Sequence, residues 1–82
     1  MAQGEKRFDQ MRQNPRDWRI EDVAVVCKWA GVECCKPSSG SHYGVAHSSQ
    51  RAILTIPADR PINPVYIRLL VKFIDAVLRS KQ

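Results

Sequence analysis

Between Val65 and Leu78 the apolar residues Val65, Tyr66, Leu69, Leu70, Phe73, Ile74, Val77 and Leu78 recur at steps of three and four without a gap. That period matches the α-helical turn and no other regular structure, so the spacing predicts one long amphipathic helix. Asn63 supplies an N-cap oxygen in front of it. Pro64 suits the first helical position, where no N–H is needed and φ is already helical. The opposite face carries Arg68, Lys72, Asp75 and Arg79 and is therefore mostly basic. Such a helix derives most of its stability from tertiary packing, so the rest of the chain must supply an apolar surface for its stripe.

A second helix is legible from Ile20, where Ile20, Val23, Val26, Cys27 and Ala30 repeat at helical spacing. Glu21 and Asp22 stand in its first turn, where the helix dipole favours anions, and Gly31 follows as a stop. Residues 32–36, 43–47 and 52–56 read as short strands. They are separated by the turn cluster Pro37-Ser38-Ser39-Gly40 and by Ser48 to Arg51, and Pro57 with Pro61 ends the last of them. Residues 1–17 are polar and read as an N-terminal extension, with Phe8 and Met11 on one face of a short helix that ends before Asn14-Pro15. Residues 18–82 form the domain.

Short turns between successive strands imply an antiparallel meander. Two amphipathic helices then need one face of a three-stranded sheet, and the other face stays open. The expected fold is thus α+β, an α-β-β-β-α layout like that of the double-stranded-RNA-binding domain, with both helices on one side of the sheet.

At 82 residues the chain has the length of a single small domain, and its 44% hydrophobic and 26% charged residues are globular proportions. The longest unbroken apolar run, Val23 to Cys27, has five residues, far short of the roughly 18 to 20 needed to span a bilayer. The N-terminal stretch also lacks the apolar core of a signal peptide, so a cytoplasmic protein without a membrane contact is expected. Three cysteines, two of them adjacent, make a poor disulfide framework, and reduced thiols are expected. The net charge of +5 is concentrated toward the two ends and suits a polyanionic partner, nucleic acid first.

Candidate chemistry centres on the two histidines, His42 and His47. An odd separation along one strand sends them to opposite faces, so a paired-histidine mechanism within the strand is disfavoured. Tyr43, Val45 and His47 make the bulkier set and suit the covered face; His42 then shares the open face with Gly44 and Ala46, where a substrate has room. Histidine is the side chain best suited to move protons near neutral pH. Adjacent Cys34 and Cys35 point to opposite faces and cannot readily share one tetrahedral ion with the histidines, so no metal or cofactor is expected. The glycines are spaced as turn punctuation and form no phosphate-cradling motif.

The succession Gly31-Val32, Gly40-Ser41-His42-Tyr43, Leu54-Thr55-Ile56-Pro57 and a C-terminal amphipathic helix, running from about Trp18 to Leu78, resembles the HicA family of bacterial mRNA interferase toxins. The segment Arg60-Pro61-Ile62-Asn63-Pro64-Val65-Tyr66-Ile67 looks like a variant found in some members before the last helix. This resemblance implies metal-independent cleavage of mRNA, with His42 as the catalytic histidine and a HicB-family antitoxin that covers it. The chain would be a monomer alone and a hetero-oligomer with that antitoxin. Tyr43 stands where many members carry a second histidine, and residues 1–17 extend beyond the family core.

Ordinary chemistry then assigns His42 as general acid or base while an RNA 2′-hydroxyl attacks the adjacent phosphorus, leaving a 2′,3′-cyclic phosphate and a 5′-hydroxyl. Backbone groups at Gly40 and Ser41, with Lys36 or Arg51 as cation, are candidates to stabilise the phosphorane. Arg68 and Lys72 on the last helix are candidate phosphate contacts. The rival reading is a non-catalytic RNA-binding module in which His42 contacts a 2′-hydroxyl or phosphate. A third is a protein-binding domain whose basic surface docks an acidic partner.

Overall fold

A computed structural model of the chain describes residues 3–36 and 42–80. Its elements are α1 (Gln3–Gln13), α2 (Ile20–Ala30), β1 (Glu33–Cys35), β2 (His42–Ala46), β3 (Leu54–Pro57) and α3 (Pro64–Ser80). The three strands form one antiparallel sheet in the order β1-β2-β3. The α+β layout expected from the sequence is therefore present, with one more helix ahead of it.

Each helix boundary has a local cause. Asn63 caps α3 through its Oδ1, which accepts the backbone N–H of Val65 at 3.0 Å. At the start of α2 the Asp22 carboxylate accepts the backbone N–H of Arg19 at 3.1 Å, satisfying the chain just ahead of the first turn. Gly31 ends α2 in the left-handed region at φ 74°, which costs glycine nothing, and the following Val32 N–H returns to Cys27 O at 2.9 Å. Asp17 also adopts positive φ, a conformation that aspartate tolerates better than most residues.

The core lies between the sheet and the helices. Ile67, Leu70, Ile74 and Val77 of α3 are fully buried, as are Val23, Val26 and Cys27 of α2, Val45 of β2 and Ile56 of β3. Full burial of each large aliphatic side chain contributes about 1.5 to 3 kcal/mol relative to exposure. The buried line of α3 is rotated from the stripe expected from its sequence: Ile67, absent from that stripe, is fully buried, while Val65 and Leu69 are 55% and 43% exposed. Apolar residues occupy far more than one face of this helix, so spacing alone cannot choose the centre of the buried arc. Packing against α1, α2 and β3 makes that choice.

The largest departure from the sequence reading concerns α1, which is part of the core rather than an appendage. Phe8 and Met11 are 3% and 1% exposed, and α1 packs on both α2 and α3. The Phe8 ring lies 5.6 Å from that of Trp29. Gly4 lets the two helices approach this closely, since a Cβ there would stand 2.2 Å from Trp29 Cβ and 3.0 Å from Val25 O. Asp22 receives Arg7 Nε at 3.1 Å, which ties the N-terminus of α2 to α1 as well. The polar composition of residues 1–17 hid this because two large apolar side chains suffice to seat a short helix on an existing groove.

A forked ion pair fastens the other side of α1. Arg12 Nη1 and Nη2 donate to Asp75 Oδ2 and Oδ1 at 2.8 and 2.6 Å, and the guanidinium also lies 4.9 Å from the Phe8 ring centroid. The hydrogen bonds from Arg12 hold the Asp75 carboxyl below its ordinary range. A carboxyl depressed in the folded state stabilises above its unfolded pKa of about 3.9 and loses that contribution as pH falls toward the folded value. Because the Arg12 and Asp75 side chains are 48% and 26% exposed, solvent limits the effect. Asp75→Asn is expected to lower the unfolding free energy by about 0.5 to 1 kcal/mol at neutral pH. Urea titrations of the two proteins should converge once the pH drops below the carboxylate range.

Candidate functional site

Strand register decides which side chains share the open face of the sheet. Cys35 pairs with Gly44 and Gly44 with Thr55, while His42 stands across from Pro57 and Glu33 across from Ala46. Cys34, Val45, Leu54 and Ile56 alternate with these and pack into the core. His42, Gly44 and Ala46 therefore lie on the face away from the helices, as the sequence spacing implies.

His42 is exposed at the head of β2. Beside it Gly44 leaves room on the sheet, since a Cβ added there would make only an ordinary contact with Ile53 Cγ2 at 3.6 Å. An imidazole in this position can reach a ligand lying flat across β2. Gly40 and Ser41, the backbone candidates that precede it, lie outside the described residues.

The candidate cations are dispersed. Lys36 is exposed one residue beyond β1. Since Cys35 is level with Gly44, Lys36 follows at the level of Tyr43, next to His42 along the strand direction. A continued strand alternation would direct it to the face opposite His42. Arg51 is exposed in the β2–β3 connection, beyond the far end of β2. A strand of this length separates it from His42 by about 13 Å or more at roughly 3.3 Å per residue. Arg51 is thus not brought together with His42. Arg68 and Lys72 are exposed on α3, whose buried line faces the covered side of the sheet. Lys72 lines a groove with Ile53, Leu54, Leu69 and Phe73 at the β3 flank.

Sequence reasoning gave His47 little weight, yet it is the histidine with a fixed ring. It follows the last residue of β2 and is half-buried, and its Nδ1 accepts the Ser49 backbone N–H at 3.0 Å with Ser49 Oγ at 2.7 Å. A backbone donor on Nδ1 requires a lone pair there, so the neutral ring carries its proton on Nε2. This side chain presents a hydrogen-bond donor. Nitrogen-detected spectra should accordingly show His47 as the Nε2–H tautomer, and a dominant Nδ1–H form would contradict the arrangement.

His47 lines a cleft of about 440 Å³ together with Gly31, Glu33, Ala46 and Ser48. A carboxylate acceptor, an imidazole donor and a hydroxyl-bearing residue thus line one cleft at the end of the sheet remote from His42, a combination suited to hydrogen-bonding a polar ligand. Glu33 carries no signal in the sequence, because only the pairing of Glu33 with Ala46 brings it to the cleft that His47 lines.

Among the described residues no group of three or more His, Cys, Asp and Glu side chains is arranged to hold a metal ion. No described helix is long and apolar enough to cross a membrane. Comparison with known proteins returns no match among family models, curated proteins or solved structures.

Proposed function

We propose that the chain is a metal-independent RNA endonuclease, the toxin of a HicA-type toxin–antitoxin pair that acts on mRNA in the cytoplasm. One observation carries this reading: His42 is exposed at the head of β2, on the sheet face that no described helix covers, beside a glycine that leaves space for a substrate. The order of motifs from Trp18 to Leu78 supports the same assignment.

In the proposed reaction the RNA 2′-oxygen attacks phosphorus as His42 accepts its proton, and the phosphorus–O5′ bond breaks. The proton returns from the imidazolium to the departing 5′-oxygen. Products are a 2′,3′-cyclic phosphate and a 5′-hydroxyl, so no water is consumed and no net proton is released. A HicB-type antitoxin seated on the open face would block this chemistry by covering His42.

Incubating the purified protein with a long single-stranded RNA in excess chelator, then analysing the fragment ends, tests the reading directly. Fragments ending in cyclic phosphate and 5′-hydroxyl are expected. Intact RNA at protein concentrations that bind it would favour the non-catalytic RNA-binding module. That second reading draws on the exposed Arg68 and Lys72 of α3, cations suited to phosphate contacts but separated from the His42 face by the sheet.

A further inference from the structure

The register of β1 on β2 sets Glu33 opposite Ala46, the last residue of β2. His47 follows directly, so the Cα atoms of Glu33 and His47 are diagonal neighbours about 6 to 7 Å apart. Both residues line the cleft of about 440 Å³ at the end of the sheet, a volume within the roughly 300 to 1,000 Å³ that small-ligand sites take. Gly31 and Ala46 add nothing larger than a methyl group to its wall. The Nδ1 of His47 is taken by the Ser49 backbone N–H and hydroxyl, which leaves the ring proton on Nε2 with no described residue to accept it. Glu33 is exposed, and its carboxylate receives no hydrogen bond or ion pair from any described residue.

The cleft therefore offers a two-oxygen acceptor and a single N–H donor. A ligand that answers both carries two adjacent N–H donors for the carboxylate and an acceptor beside them for the imidazole. A guanidinium or ammonium group supplies donors only and would leave the His47 N–H unmet. A phosphate supplies acceptors only and would face the charge of Glu33. Single-stranded RNA presents the Watson–Crick edges of its bases. Adenine, cytosine and uracil each have one donor group on that edge. Guanine has two in succession, N1–H and the N2 amino group, with the acceptor O6 next to N1–H.

We propose that the cleft lined by Glu33 and His47 is a guanine-reading subsite for single-stranded RNA, in which the Glu33 carboxylate accepts from guanine N1–H and N2–H while His47 Nε2–H donates to O6. The choice of RNA as the polymer rests on the proposed ribonuclease function. Glu33 and Ala46 share the sheet face that carries His42, so a strand of RNA laid along β2 from His42 passes over Gly44 and Ala46 to the cleft. Five residues separate the two histidines, about 16 Å at roughly 3.3 Å per residue. The guanine held in the cleft then lies a few nucleotides from the bond cut at His42, and it fixes where on the RNA the cut falls.

The test titrates the full chain with 2′-O-methyl oligouridylates that carry one guanosine, one adenosine, one cytidine or none, and that cannot be cut because the attacking hydroxyl is blocked. Calorimetry reads affinity, and nitrogen spectra of the His47 ring and of the Gly31, Glu33 and Ser48 amides read the site. The guanosine oligomer is expected to bind most tightly and to shift these signals. Glu33→Gln turns one acceptor oxygen into a donor that faces the guanine N–H groups. It should lower affinity for the guanosine oligomer by about 5- to 150-fold, the worth of a good bidentate base contact, without lowering that for the all-uridine oligomer. Equal affinity for every oligomer, an equal loss for all of them in Glu33→Gln, or a guanosine preference whose shifts fall outside the cleft would overturn the proposal. So would guanosine 5′-monophosphate that shifts His47 and is not displaced by the guanosine oligomer, since the cleft would then be a free-nucleotide site. Cleavage is read separately on unmodified RNA, where guanosine at a fixed distance from the cut is expected in the parent and lost in Glu33→Gln. Selective guanosine binding by a chain that cuts no RNA would remove the ribonuclease function and keep the subsite.

Discussion

His42→Ala is expected to reduce RNA cleavage by about 10²- to 10⁴-fold, the range that a positioned acid–base group contributes. RNA affinity should change little, because one exposed imidazole adds small binding energy beside the phosphate contacts made by cations. His47→Ala is the informative control. Its ring is held by Ser49 at the other end of the sheet, and Nδ1 is already engaged. Cleavage should therefore persist in that variant. The reverse pattern, with His47→Ala inactive and His42→Ala active, would move the catalytic centre to the cleft shared by Glu33, His47 and Ser48. Loss of binding in His42→Ala, with no cleavage by either protein, would instead favour the RNA-binding module.

Phe8→Ala is expected to lower the unfolding free energy by about 3 to 5 kcal/mol, the usual result of removing a buried phenyl ring. For a chain of this size the whole stability is of the order of 4 to 12 kcal/mol at roughly 0.05 to 0.15 kcal/mol per residue. The loss would thus be a large share of the total. Two contacts make the position sensitive: the ring packs on Trp29 at 5.6 Å and beneath the Arg12 guanidinium at 4.9 Å. Gly4→Val probes the same interface from the opposite direction, by overfilling it. Its side chain would begin 2.2 Å from Trp29 Cβ and 3.0 Å from a backbone oxygen, so α1 must shift away from α2. An overpacking cost of about 1 to 3 kcal/mol or more follows. Chemical denaturation of both variants beside Lys72→Ala, an exposed control, measures these effects. If Phe8→Ala unfolds at the same denaturant concentration as the parent, α1 is not the integral helix described here.

Much of the architecture was legible because its signals are local. The cap at Asn63 and Pro64, the stop at Gly31 and the helical spacing from Ile20 act over a few residues, and each forms as expected. The strands begin and end within two residues of the expected positions, since turn chemistry rather than β-propensity set them. Strand alternation likewise placed His42 on the open face and separated Cys34 from Cys35. These properties follow from the fixed geometry of the pleat.

What needed the tertiary structure was every relation between elements. Only packing shows that α1 belongs to the core, because its anchors Phe8 and Met11 look sparse until Gly4 admits Trp29 beside them. Only packing turns α3 so that Ile67 lies inside and Val65 outside. That Glu33 and His47 line one cleft likewise depends on strand pairing. By itself the sequence determined which segments become helix or strand and which face of β2 bears His42, since steric and periodic preferences operate within a turn or two of chain. The tertiary structure alone decided which side chains become neighbours, because burial is settled among all the apolar faces at once.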